Sequence, residues 1–188
     1  MKLLAFAASN SRNSINQTLV RHAANLYRTD FDSSVEIDLL DINEFEMALY
    51  STDREAEDGI PAAAHGFRAR IAAADAVMIS YAEHNGHYAA AFKNLFDWTS
   101  RIDAKVYQDK PMVVMATSPG PGGAASVLNA AITSAPFFGA DIRGHLSVPS
   151  FYDNFDNATG TLSDPVQLQA LHNALAALAE TASLTKAA

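Results

Sequence analysis

Residues 76–98 hold the pattern that most limits what this chain can fold into. Ala76-Val77-Met78-Ile79 is a short apolar run, the mark of a strand buried on both faces. Ala91, Leu95 and Trp98 then recur at i, i+4, i+7, which predicts a helix with one apolar face. Between them lies a polar turn centred on Asn85-Gly86, the pair best able to adopt positive φ. A strand that turns directly into a helix lifts backbone N–H groups to the carboxyl edge of a sheet. That edge is where open α/β sheets hold their ligands.

The same alternation runs along the chain. Residues 2–8, apolar after Lys2, read as a first strand, because the run is shorter than the core of a leader peptide and turns polar at once. Ser14 and Gln17 have capping-box spacing, so a helix is predicted from about Ile15, with Ile15, Leu19, Ala23 and Leu26 as its stripe. The loop 9–17 thus feeds hydroxyls, amides and the guanidinium of Arg12 onto a helix start. The free N–H groups there, carrying about half a positive charge, suit a phosphate. Taken alone, the loop reads first as a polar turn before a well-capped helix; the succession of strand, loop and helix shifts the balance toward a phosphate.

Residues 35–40 suggest a second strand nearer the sheet edge, and the acidic stretch 41–61 reads as a solvated loop. A helix over 62–74 should turn Phe67 and Ile71 inward. Pro111 to Ala116 is another buried strand, ending in Thr117-Ser118-Pro119-Gly120-Pro121-Gly122-Gly123. Four of the nine glycines, Gly86, Gly120, Gly122 and Gly123, fall in the loops after these two strands, where a ligand could lie against backbone. A helix over 127–135 and a last strand over 141–148 follow, with Gly144 marking a bulge or bend. Residues 150–160 place Phe151, Tyr152 and Phe155 among Asp and Asn, as a surface loop or a contact surface for a neighbour. Asp164-Pro165 opens the final helix with a cap and an N1 proline, and Leu168, Leu171, Leu175 and Leu178 form its stripe. The tail after Glu180 is expected to fray.

Composition excludes several classes. At 188 residues, 49% apolar and 18% charged, the chain suits a single domain, 1–188, with a sizeable core. It has no cysteine, so neither disulfides nor thiolate metal sites are possible. A net charge of −8 argues against nucleic acid, and no apolar run approaches a membrane span. There is no G-x-G-x-x-G and no G-x-x-x-x-G-K-[ST]. His65, His84, His87 and His145 are scattered, no Ser–His–Asp arrangement or metal cluster is legible, and no protein side chain is assigned as catalytic.

Glu83-His84-Asn85-Gly86, then Phe92-Lys93-Asn94 and Asp97-Trp98, resembles the loop-and-helix signature of the NAD(P)H-dependent FMN reductases. There the pattern is Pro-Glu-Tyr-Asn-Gly followed by Leu-Lys-Asn, two residues and Asp-Trp; this chain has Ala82, His84 and Phe92 at the differing places. The loop from Ala8 to Asn16 is similar to that family's phosphate loop, with Ala8 for Gly. Ser118-Pro119-Gly120 through Gly122-Gly123 is similar to its Ser-Pro-Gly-x-x-Gly-Gly, and the acidic segment ending in Gly59-Ile60-Pro61 to one on the family's oligomer face.

Strand–helix alternation implies a doubly wound α/β sheet with helices on both faces. The resemblance makes it flavodoxin-like: five parallel strands in the order 2-1-3-4-5, with the ligand at the switch between the first and third. It implies FMN as cofactor, with Ser9, Ser11, Arg12, Ser14, Ile15 and Asn16 at the phosphate. Ala82, Glu83, His84, Asn85 and Gly86 would hold the ring edge, and Thr117, Ser118, Pro119, Gly120 and Gly122 would flank the ring. It further implies a cytoplasmic enzyme in which NAD(P)H reduces the flavin and a quinone, free flavin or similar small acceptor takes the electrons by a ping-pong mechanism. Two rivals stay open: a flavodoxin-type electron carrier and a non-catalytic module for a phosphorylated metabolite. A homodimer or homotetramer is expected, because Phe92 and Phe96 add an apolar row beside the Leu95–Trp98 stripe.

Overall fold

The computed structural model describes the backbone of residues 1–187 and side chains through Thr181. In chain order the first elements are β1 (Lys2–Ala8), α1 (Ile15–Asp30), β2 (Glu36–Leu40), a 3-10 turn (Ile42–Phe45), α2 (Thr52–Asp58), α3 (Ala62–Ala72) and β3 (Ala76–Tyr81). The short strands β4 (Glu83–His84) and β5 (His87–Tyr88) form a hairpin before α4 (Ala90–Ile102). Then come β6 (Lys110–Thr117), α5 (Ala125–Ser134), a 3-10 turn (Ala135–Phe138) and β7 (Ala140–Val148). The chain ends with α6 (Phe151–Asn154), β8 (Phe155–Asp156), β9 (Thr161–Leu162) and α7 (Pro165–Ala187).

Five parallel strands pair in the order β2-β1-β3-β6-β7, which among the sheet strands is 2-1-3-4-5, the expected flavodoxin-like arrangement. The side-chain period of two sends alternate residues of each central strand to opposite layers. Leu4, Phe6, Val77, Ile79 and Val114 pack with Phe67 and Ile71 of α3, Phe92 and Leu95 of α4, and Val127 of α5. Leu3, Ala5, Met78, Val113 and Met115 pack with Leu19 and Val20 of α1 and Leu171, Leu175 and Leu178 of α7. Register aligns Ala8 with Tyr81 and Tyr81 with Ala116, so the carboxyl ends of β1, β3 and β6 reach the same level.

Several expectations need correction. The acidic stretch is not all loop: α2 forms within it, capped by the Ser51 hydroxyl, which accepts from the Arg54 amide at 3.2 Å. It buries no side chain, so no apolar periodicity could announce it. Residues 150–160 are not simply surface. Phe151 and Phe155 are buried and stacked 4.8 Å apart in the α1–α7 layer, leaving Tyr152 65% exposed. α7 continues to Ala187 rather than fraying after Glu180. Phe92 is buried within the chain and Phe96 partly so. Phe92 packs on Phe6, Tyr81 and Tyr88, and Phe96 lies edge-on to Phe138 at 4.8 Å. The edge-on contact to Phe96 comes from the turn after α5.

Gly144 does mark a bulge. Met112 pairs with Ile142 and Val113 with Gly144, so Arg143 is the extra residue. At that point α7 comes close to the sheet: a Cβ on Gly144 would stand 2.6 Å from the Ala174 Cβ. Gly144→Ala should therefore destabilise the fold by about 1–3 kcal/mol, the usual cost of overpacking, with no change in the site loops. Urea unfolding of the two proteins measures it, and unchanged stability would mean α7 can shift outward freely.

Candidate functional site

The loop after β1 is shaped by its own hydroxyls. The Ser9 side chain accepts from the Ser11 amide at 3.3 Å, and Ser14 caps α1 by accepting from the Gln17 amide at 3.4 Å. The capping box is not reciprocal, because Gln17 Oε1 accepts from the Ala7 amide at 3.3 Å and so ties the helix to the strand it follows. The amides of the first helical turn have no intrahelical acceptor and point out of the end of α1. Arg12 is exposed beside them, and no carboxylate stands within ion-pair distance of it among the described residues.

Asn16 sits differently from the other loop residues. It is 3% exposed, and its amide is used between strand ends. Oδ1 accepts from Ser80 Oγ at 2.7 Å and from the Thr117 amide at 3.1 Å, while Nδ2 donates to the Thr117 carbonyl at 3.2 Å. The Thr117 hydroxyl carries the chain onward to the Val148 carbonyl at 2.8 Å. One side chain thus joins the start of α1 to the ends of β3 and β6, and through Thr117 to β7.

Above this pin lies a trough of about 230 Å³ at the switch point between β1 and β3. Ser9, Ser11, Ser14, Ile15 and Asn16 line one wall, Ala82, Glu83 and His84 a second, and Thr117, Ser118 and Pro119 a third. An adjoining hollow of about 420 Å³ brings in Arg12 and Arg21, and shares Asn13, Ser14, Ile15 and Tyr152 with the trough. Asn13 and Tyr152 are lining residues that the sequence reading did not assign. The aromatic cluster after residue 150 was the only signal for Tyr152.

Five expected residues do not line the trough: Arg12, which lines only the adjoining hollow, and Asn85, Gly86, Gly120 and Gly122. Asn85 (φ 52) and Gly86 (φ 80) form the tip of the β4–β5 hairpin and are exposed. The Gly120 carbonyl accepts from the Ser150 amide at 2.9 Å, strapping its loop to the segment after β7, and the Gly122 carbonyl accepts from the Ala125 amide at 3.0 Å in the turn before α5. The close backbone approach occurs instead at Gly123, where φ is +58 and an added Cβ would fall 2.4 Å from Ser147 Oγ. A separate cavity of about 270 Å³ lies on the far side of the hairpin, between α4 and the turn after α5. Phe92, Phe96, Tyr107 and Phe138 wall it together with the hydroxyls of Tyr88 and Ser134, and neither the loop after β1 nor the start of α1 lines it. The Tyr81 and Tyr107 phenols, 3.3 Å apart near it, are raised by burial and stay neutral.

A structural pin and a phosphate ligand respond differently to truncation. Asn16→Ala leaves the Ser80 hydroxyl and both Thr117 backbone groups without their partner, which should cost about 2–4 kcal/mol of folding stability. Chemical unfolding of the ligand-free protein checks it, and an unchanged midpoint would show that the amide serves a ligand instead.

The comparisons agree with this geometry. Residues 1–153 match the family model described as NADPH-dependent FMN reductase. The chain is 32% identical over 127 residues to a probable NADPH:quinone oxidoreductase 2 of Oryza sativa subsp. japonica, covering 68% of this chain and 61% of that one. It is 32% identical over 125 residues to an NAD(P)H-dependent FMN reductase of Pseudomonas aeruginosa, covering 66% and 64%. The matched stretch thus spans less than two thirds of these relatives. Among solved structures, the fold is similar to that of FerB, a flavoenzyme NAD(P)H:(acceptor) oxidoreductase from Paracoccus denitrificans. That match has a TM-score of 0.77 at 22% identity, over 97% of each chain. The chain belongs to the NADPH-dependent FMN reductase family.

Proposed function

We propose that the protein is a cytoplasmic FMN-dependent NAD(P)H oxidoreductase of one domain, passing two electrons to a quinone, free flavin or similar small acceptor. The observation that carries this reading is the trough itself, which joins a hydroxyl-rich helix start to two backbone-rich loops at the switch point. The residues fit the cofactor. Ser9, Ser11 and Ser14, the first amides of α1 and the guanidinium of Arg12 suit a phosphate, and the 82–84 and 117–119 walls suit a flat polar ring. Bound FMN would supply the hydride chemistry, while the protein supplies binding, orientation and exclusion of water.

Asn16 positions these walls rather than touching the phosphate with its side chain, since its amide is spent on Ser80 and Thr117. Asn85, Gly86, Gly120 and Gly122 shape the two ring loops from outside the trough. Reductant and acceptor would use the same trough in turn, which supports a ping-pong order. Steady-state oxidation of NADPH and NADH with a benzoquinone tests the activity; an FMN-loaded protein that leaves both unoxidised would be a carrier instead.

FMN should bind at least tenfold more tightly than riboflavin, because a charge-assisted phosphate contact is worth about 1.5–3 kcal/mol. Arg12→Ala should weaken FMN binding by about one to two decades on the same scale, and leave both riboflavin affinity and apoprotein stability unchanged. Equal affinities for the two flavins in the parent protein would overturn the phosphate assignment.

The reading also includes a homo-oligomer. Its support is the surface beside the aromatic cavity, where Phe137 is 78% exposed next to Phe138 and Phe96 is only partly buried, although Phe92 is covered. Light scattering should give a mass of at least twice the 20.1 kDa chain, and a mass equal to one chain would refute it.

A further inference from the structure

The β4–β5 hairpin and the loop before α5, two walls of the trough, meet at a charged contact. α5 begins without a capping side chain: its N-cap is Ala124, held at φ 57, and its first turn has no acidic residue. The amide of Val127 donates instead to Glu83 Oε2 at 2.9 Å, across 44 positions of sequence. Glu83 is the first residue of β4 and pairs across the hairpin with Tyr88. The Tyr88 hydroxyl lies 3.3 Å from Ser134 Oγ, at the last residue of α5. The two strands of the hairpin therefore grip the same helix near its two ends.

We propose that Glu83 is a positioning residue. Its carboxylate replaces the missing cap of α5 and so sets the gap between the Ala82–His84 wall and the Ser118-Pro119 wall. The inference rests on the FMN reading of the trough. A carboxylate suits the place, because the N-terminal end of a helix favours negative charge and the bond to an amide is charge-assisted. A hairpin of two-residue strands has little stability of its own and takes its position from what it is bonded to. The loop on the other side is equally dependent, since Gly123 and Ala124 both sit at positive φ and hold that shape only while α5 stays in place.

The test compares the parent protein with Glu83→Ala and Glu83→Gln, using FMN and riboflavin titrations, visible circular dichroism of the bound flavin, and amide hydrogen exchange at Val127 in the apoprotein. Glu83→Ala should bind both flavins about 10–100-fold more weakly, with the FMN-to-riboflavin ratio unchanged because the phosphate loop is untouched. Its flavin dichroism should weaken and Val127 should exchange faster. Glu83→Gln keeps an acceptor at the same reach, so it should restore the dichroism and most of the affinity. Parent-like flavin binding and dichroism in Glu83→Ala would overturn the inference. So would equal loss in both variants with Val127 still protected in Glu83→Gln, since the charge would then act on the ring itself. A parent protein that binds neither flavin refutes the functional reading, while the exchange rate at Val127 still reports the cap.

Discussion

The arrangement of the site depends on the buried amide of Asn16. Three strand ends must stand at one level for their loops to enclose a common space, and parallel strands share no turns that would hold them there. Asn16 supplies the tie by accepting from the Ser80 hydroxyl and the Thr117 amide and donating to the Thr117 carbonyl, where water does not compete. A buried polar group whose bonds are all made is worth more as a constraint than as a source of stability, because any displacement leaves several groups unpaired at once. Gln17 adds a second tie from α1 to Ala7, so the phosphate-type loop is held at both its beginning and its end.

The outer loops are held by side chains from other parts of the chain. Glu83 and Tyr88 bind the hairpin to α5, Ser147 Oγ donates to the Gly123 carbonyl at 2.8 Å, and Thr117 donates to Val148. Each of these bonds ties the hairpin or a ring loop to another element of the fold. The walls of the trough are thus positioned by α5 and β7 as much as by the strands they follow. A loop fixed from several directions can carry backbone conformations such as those of Ala124 and Ser150, which no local sequence preference would select.

Much of the fold was legible because its signals are local. The strand at residues 2–8, the start of α1 at Ile15, the inward Phe67 and Ile71, and the Asp164-Pro165 cap were each readable from a few neighbouring residues. The Asp164 carboxylate does accept from the Val166 amide, at 2.7 Å. α2 was not legible, since its seven residues bury nothing and are stabilised by a Ser51 cap and by Glu55, which pairs with Arg101 from another helix. The burial of Phe151 and Phe155 was equally hidden, because nothing in an aromatic residue among Asp and Asn says which layer it will enter.

The sequence by itself determined the alternation of elements, the positions of the polar loops and the chemistry each loop offers, because these follow from periodicity and residue type. Tertiary structure alone decided the role of each residue within those loops. Asn16 and Ser14 are both polar residues at one helix start, yet the Ser14 hydroxyl caps its own helix while the Asn16 amide turns inward to the strand ends. Glu83 carries a carboxylate to the trough wall, but the distant amide of Val127 takes it. Tyr152 joins the site from a segment far along the chain. The reason is the same in each case: a side chain's hydrogen-bond partner is fixed by what the fold brings near it, and those partners lie tens of residues away.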